Sequence, residues 1–165
     1  MTTLKTAWVC LFCAFQYICS VDNQTKTMEN TVQYAHEKDL DWQEFRNTLI
    51  ASTLGERRPV DDLPRIKAMV ENANLLITAR INNKLVGVAR SVTDWAFCTY
   101  LSDLFVDEAY QKHGIGRELI RHTKLASPDA KLILLSAPKA INYYPRIGMT
   151  HHTHAYTLDN PDDLV

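Results

Sequence analysis

The feature that most restricts this chain lies between Leu104 and Arg117. A short apolar strand, Leu104-Phe105-Val106, runs into a brief loop, and two glycines one residue apart, Gly114 and Gly116, open an amphipathic helix. Ile115, Leu119 and Ile120 fall on one side of that helix and Arg117, Glu118, Arg121 and Lys124 on the other, so one face must pack on a sheet. Pro128 and Asp129 stop it, and Lys131-Leu132-Ile133-Leu134-Leu135-Ser136 follows as a nearly continuous apolar strand of the kind buried on both faces. A strand, a helix and a second strand in so short a span form a right-handed βαβ crossover, which makes the two strands parallel. The first amides of the helix lack intrahelical acceptors and sit at the positive end of its dipole, so the turn is suited to phosphate. Gly114 and Gly116 let an anion approach the backbone, and Lys112, His113 and Arg117 add charge. The pattern is neither a Walker A loop nor a full dinucleotide fingerprint.

The rest of the chain sets this unit in a larger sheet. Leu40, Trp42, Phe45, Leu49 and Ile50 recur at helical steps after Asp39 and Asp41, either of which can cap. Arg58-Pro59-Val60 breaks that helix, and Asp62 opens a second through Ile66, Met69 and Val70. Leu75 to Ile81, Asn82-Asn83 and Leu85 to Val92 read as a hairpin, and Thr99 to Val106 as the next strand. Val32 to Tyr34 is a first strand, Ala140 to Arg146 a brief helix ended at Gly148, and Met149 to Leu158 a last strand or hairpin. Consecutive antiparallel strands followed by a βαβ unit predict a mixed α/β fold with helices over the sheet.

Residues 1–27 differ in kind. Thr6 to Val21 is 16 residues without a charge, 13 of them hydrophobic, and holds three of the four cysteines. The run is shorter than the roughly 20 residues a spanning helix needs, so no stable membrane span is expected. It reads as an extension outside the fold, from a misplaced start or a signal-like segment, with the domain running from Met28 to Val165. Only Cys98 remains there, which is usage suited to a reducing compartment. With 18 Lys and Arg against 19 Asp and Glu the formal charge is −1, so a nucleic-acid partner is not expected.

Two segments carry a resemblance. Gln111-x-x-Gly114-x-Gly116 is similar to the pyrophosphate loop of the GNAT superfamily of N-acetyltransferases, and Ala140-x-x-x-Tyr144-x-x-x-Gly148 is similar to a second motif of that family. The likeness covers roughly Val32 to Tyr156. It departs at Ala137, where the family often has Asn, and at Met149, where Phe is usual. The resemblance implies a mostly antiparallel central sheet of six to seven strands with helices on both faces. It also implies acetyl-CoA as co-substrate, with its pantetheine arm along Leu104, Phe105 and Val106 and its pyrophosphate at Gln111, Lys112, His113, Gly114, Ile115, Gly116 and Arg117. Tyr144 would then be the acid that protonates the leaving thiolate.

An acceptor amine with a lysine-like pKa near 10.4 is only about one part in 10³ neutral at pH 7, so its proton must be removed. Asp103 is the first candidate for that base, with Tyr100, Asp94 and water as alternatives. Tyr143 reads as packing or substrate wall. His151, His152 and His154 invite a metal reading, yet on a strand only His152 and His154 share a face, so no metal is expected. Arg57, Arg58 and Arg90 read as surface charge. The expected function is direct acetyl transfer from acetyl-CoA to a small-molecule or peptide amine in the cytoplasm, where acetyl-CoA is available. The alternative is a module of the same fold that binds acyl-CoA without turnover. The sequence leaves the acceptor and the oligomeric state open, a homodimer included.

Overall fold

The computed structural model describes residues 31–165. The N-terminal extension read from residues 1–27 lies outside the described residues. The described chain falls into two compact units, one ending at Ile133 and the other Leu134–Val165.

The first unit is a five-stranded sheet in the order β1-β2-β3-β4-β5, built from β1 (Gln33–His36), β2 (Leu75–Ile81), β3 (Lys84–Thr93), β4 (Cys98–Val106) and β5 (Lys131–Ile133). The first four pair antiparallel and β4 pairs β5 in parallel, as the crossover argument requires. Asn82 and Asn83 take positive φ angles of 50° and 63°, so the β2–β3 turn has the primed geometry that matches strand twist.

Three helices cover this sheet. Helix α1 (Trp42–Ile50) starts where the Asp41 carboxylate accepts the Glu44 N–H at 2.8 Å, and α2 (Leu63–Glu71) where Asp62 accepts from Arg65 at 3.1 Å. Their buried residues Phe45, Leu49, Ile66 and Val70 form one core with Leu76, Leu85, Val88 and Phe105 of the sheet. Phe45 meets Phe105 edge to face at 5.1 Å between centroids, a geometry worth about 1 kcal/mol beyond area burial. Helix α3 (Ile115–Ala126) lies on the other face. The Cβ direction of Gly87, the residue before Val88 and so on the opposite face, meets Leu119 Cδ1 at 3.1 Å. A side chain at 87 would crowd Leu119 of α3 and the Phe105 carbonyl, each 3.1 Å from that Cβ position. Helices therefore cover both faces, as expected.

Five strands are present among the described residues where six to seven were expected. The missing one is Met149 to Leu158, which forms no strand. Residues 150–165 are all exposed, and an extended segment without a paired, half-buried neighbour has nothing to hold it as a strand. The strand expected over Lys131 to Ser136 is also shorter, ending at Ile133, and both Lys131 and Ile133 are exposed rather than buried on two faces. In the second unit, the helix expected over Ala140 to Arg146 is split into a single 3₁₀ turn, Pro138–Ala140, and a one-turn helix α4 (Tyr143–Arg146). No helix among the described residues is long and apolar enough to cross a membrane.

Candidate functional site

Strands β4 and β5 stay together only over Cys98–Tyr100 and Lys131–Ile133. Beyond Tyr100 the β4 strand continues to Val106, and among the described residues no strand pairs that edge. Leu104, Phe105 and Val106 thus lie on a part of the β4 edge that no described strand pairs, although the Val106 carbonyl is taken by the Gln111 side chain. Phe105 and Val106 are buried by their side chains, which fixes the backbone from the core side.

The loop after β4 is tied to the sheet by bonds from distant residues. The Asp107 N–H reaches the Val86 carbonyl at 2.9 Å and the Glu108 N–H reaches Ala51 at 3.0 Å. The Asp107 carboxylate accepts from the Ala109 N–H at 3.0 Å and from Lys84 Nζ at 3.1 Å, and this hydrogen bond raises the Lys84 ammonium above its ordinary range. Lys84 also lies 4.8 Å from the Tyr110 ring centroid. Gln111 turns back, its Nε2 donating to the Val106 carbonyl at 3.0 Å. Its side chain therefore buttresses the strand end, a role the motif alone did not suggest.

Lys112 and Gly114 take positive φ angles of 66° and 82°, which swings the chain into α3. The N–H groups of Arg117 and Glu118 both reach the Gly114 carbonyl, at 3.1 and 3.2 Å. Those of Gly114, Ile115 and Gly116 find no protein acceptor among the described residues. Nothing lies within 4 Å of a Cβ built on Gly114. Free amides, a helix dipole and open space at one point suit a phosphate group, and the exposed Lys112, His113 and Arg117 border it. His113 Nδ1 lies 3.3 Å from the Tyr110 carbonyl, and Arg117 is 3.4 Å from Glu118.

In the second unit, Tyr144 is half-buried on α4, and burial, with Tyr143 adding to it, pushes its phenol above the ordinary tyrosine value. The two rings meet edge to face at 5.3 Å. Gly148 takes φ +92°; its N–H bonds the Pro145 carbonyl at 3.1 Å and that of Met149 bonds the Tyr144 carbonyl at 3.0 Å. These are the two bonds of a Schellman closure, and the left-handed residue they need explains glycine four positions after the tyrosine. His152 and His154 are in ring contact at 5.6 Å although their segment is not a strand. Among the described residues no group of three or more His, Cys, Asp or Glu side chains is arranged to hold a metal ion.

The proposed bases fare differently. Asp103 is only 1% exposed, and its two carboxylate oxygens are taken separately by Arg58 Nε, at 2.5 Å, and Arg90 Nε. No acceptor amine can reach it, so the expectation that Asp103 removes the proton is not met by this geometry. Arg58 and Arg90 are likewise not surface charge: Arg90 is buried and Arg58 largely so. Asp94 accepts the N–H groups of Phe97, Ala96 and Cys98 in the β3–β4 turn, and these bonds, Phe97 first, hold its carboxyl down at about 2, too weak a base for an amine. Tyr100 is 40% exposed, at the last β4–β5 pair. The arginine cluster had a sequence signal: an aspartate between Leu101 and Phe105 on one face of a strand needs a buried partner, and Arg90 stands on the neighbouring strand.

The chain is similar to known proteins in sequence and in fold. The family model described as "Acetyltransferase (GNAT) family" matches residues 38–149. A histone acetyltransferase of Glycine max, TAP1, is 31% identical over 68 residues, which is 39% of this chain but only 29% of that protein, so the match spans less than a third of that relative's length. A GNAT family acetyltransferase from Streptococcus pneumoniae superposes with a TM-score of 0.64 at 17% identity, covering 78% of this chain and 98% of that one. An aminoglycoside N-acetyltransferase solved in complex with CoA does so with a TM-score of 0.62 at 11% identity, covering 80% and 96%. At those identities the superpositions speak for the fold.

Proposed function

The chain belongs to the acetyltransferase (GNAT) family, and from that premise we propose that it transfers the acetyl group of acetyl-CoA to a primary amine by direct attack within a ternary complex. The observation that carries this reading is the unpaired β4 edge leading into a turn whose Gly114, Ile115 and Gly116 amides have no protein acceptor. Leu104, Phe105 and Val106 would hold the pantetheine arm through their backbone groups. The turn from Gln111 to Arg117 would hold the pyrophosphate, with Lys112, His113 and Arg117 balancing its charge. Acetyl-CoA supplies the activated thioester.

Tyr144 is the proton donor to the departing sulfur. Its raised pKa keeps the phenol protonated through the neutral range, as a general acid requires. With Asp103 inaccessible and Asp94 committed to its turn, Tyr100 is the remaining candidate for ordering the water that takes the amine proton. A small-molecule or peptide amine is the acceptor class. The names of the similar proteins, one a histone acetyltransferase and one an aminoglycoside N-acetyltransferase, fit either. Met28 to Val165 is read as one catalytic domain, acting in the cytoplasm where its co-substrate is made available.

Isothermal titration with acetyl-CoA and CoA, followed by a thiol-release screen over an amine panel, tests the assignment. Coenzyme binding with thiol release on one amine class is expected. Failure of both coenzymes to bind would sink the reading, and binding without release on any amine would leave a non-catalytic acyl-CoA module.

A further inference from the structure

Strand β4 carries one extra residue. Arg90 of β3 pairs with Asp103, while the next residue, Ser91, pairs with Leu101, so Ser102 is left opposite no partner. Such a bulge frees the polar groups of its extra residue from the ladder, and they must be satisfied elsewhere. Here two arginines bond the Ser102 carbonyl and its hydroxyl. Arg58 Nη2 donates to the Ser102 carbonyl at 3.0 Å, and Arg90 Nη2 donates to the Ser102 hydroxyl at 2.7 Å. The same two guanidinium groups give their Nε–H bonds to the two oxygens of Asp103. Arg90 Nη1 also reaches the Met69 carbonyl at 3.3 Å, and Arg58 Nη1 the Arg57 carbonyl at 3.0 Å. One buried carboxylate thus joins the segment after α1, the end of α2 and β3 to a single bulged residue of β4.

The position of the cluster matters more than its strength. Tyr100 and Ile133 form the last β4–β5 pair, and Ser102 lies two residues further along β4, where the strand becomes an open edge. A bulge bends its strand and increases its local twist. The direction of Leu104–Val106 is therefore set by how firmly Ser102 is held. Resting on the coenzyme reading above, we propose that Asp103 is a positioning residue: with Arg58 and Arg90 it fixes the Ser102 bulge, aims the β4 edge at the pantetheine arm of acetyl-CoA, and exchanges no proton in the reaction.

Three variants test this against wild type, each scored per folded molecule by circular dichroism. Asp103→Asn removes the charge that orients both arginines. It is expected to raise the Kd for CoA and the KM for acetyl-CoA at least tenfold, to change kcat less than threefold, and to leave the pH dependence of kcat unmoved. Arg58→Lys keeps the charge but cannot donate to Asp103 and the Ser102 carbonyl together, so an intermediate rise is expected. The triple variant Arg58→Met, Arg90→Met, Asp103→Leu exchanges the buried ions for apolar side chains of similar size, an exchange that cores tolerate, and so separates positioning from stability. It should fold and still bind CoA at least tenfold more weakly. Wild-type affinity in the folded triple variant, or loss of the rising limb of the Asp103→Asn pH profile at unchanged KM, overturns the proposal. If wild-type protein itself fails to bind CoA, the coenzyme reading falls instead, and this inference with it.

Discussion

The loop from Asp107 to Gly116 and the turn from Asn142 to Met149 hold the two groups on which acetyl transfer depends in this reading, and they are built in opposite ways. The loop is fastened by residues remote in sequence, since Ala51, Lys84 and Val86 all bond to it, and Gln111 ties it back to the end of β4 as well. The turn is closed by its own backbone, through Tyr144, Pro145, Ile147, Gly148 and Met149. A phosphate site needs several N–H groups aimed at one point, and only a framework wider than the loop can fix them all. A proton donor needs one side chain at the correct place on a helical turn, and a local closure supplies that. Substitutions in the loop should therefore act on coenzyme binding, and those in the turn on the chemical step.

The strongest separation should come from Gly114→Glu. A carboxylate placed beside the acceptor-free amides of Gly114, Ile115 and Gly116 would compete with the anion proposed to bind them, and we expect CoA binding to be lost by titration calorimetry. The positive φ of Gly114 adds strain for any side chain, so Gly114→Ala is the control. Its Cβ meets nothing within 4 Å, and the left-handed conformation alone costs roughly 1–2 kcal/mol. Alanine should lower the melting temperature while leaving CoA affinity within a few-fold. Equal affinity in wild type and Gly114→Glu would remove the phosphate assignment.

Tyr144→Phe should do the reverse, lowering kcat by about 10²- to 10⁴-fold with CoA affinity unchanged. Because burial raises the Tyr144 pKa, the acid form is present at low and neutral pH and is lost only as pH rises through a value above about 10. The wild-type kcat profile should fall there, and the fall should be absent in Tyr144→Phe. An unaltered rate in the variant, or a profile that falls at the same pH in both proteins, would deny the tyrosine its role.

This contrast also decides what the sequence could reveal. The turn is local, so the segment that carries Tyr144 and Gly148 could be recognised through its resemblance to the family motif, and the Schellman bonds give a physical reason for its glycine. The βαβ unit was legible for the same reason, since strand, glycines and amphipathic helix follow one another. What stayed hidden depends on remote pairing. The bulge at Ser102 exists only once β3 and β4 are in register, so Asp103 read as an accessible base and Arg58 and Arg90 as surface charge. Gln111 read as a phosphate contact because its bond to Val106 requires the loop to be folded back. The stretch from Met149 to Leu158 reads as a strand or hairpin but has no partner among the described residues, and local sequence cannot report a missing neighbour.

Gly148→Ala tests the local closure. The alanine must adopt φ near +92°, at a cost of roughly 1–2 kcal/mol, with nothing nearby to clash. The two closing bonds fix the end of this one-turn helix, so kcat should drop about tenfold while CoA affinity stays at the wild-type value. Loss of CoA affinity with kcat preserved would show that the turn serves binding and would break the division drawn above.

The smallest effect is expected from Gln111→Ala. Only the bond from Nε2 to the Val106 carbonyl is lost, on the half of the site that has several other anchors. A single hydrogen bond of this kind contributes about 1 kcal/mol, so the KM for acetyl-CoA should rise about fivefold with kcat unchanged. If Gln111 instead touches the pyrophosphate directly, the loss should be larger for acetyl-CoA than for the phosphate-free thioester acetyl-pantetheine. Equal fivefold losses with both substrates would place Gln111 behind the strand edge, since Val106 belongs to the part of β4 that the pantetheine arm would follow.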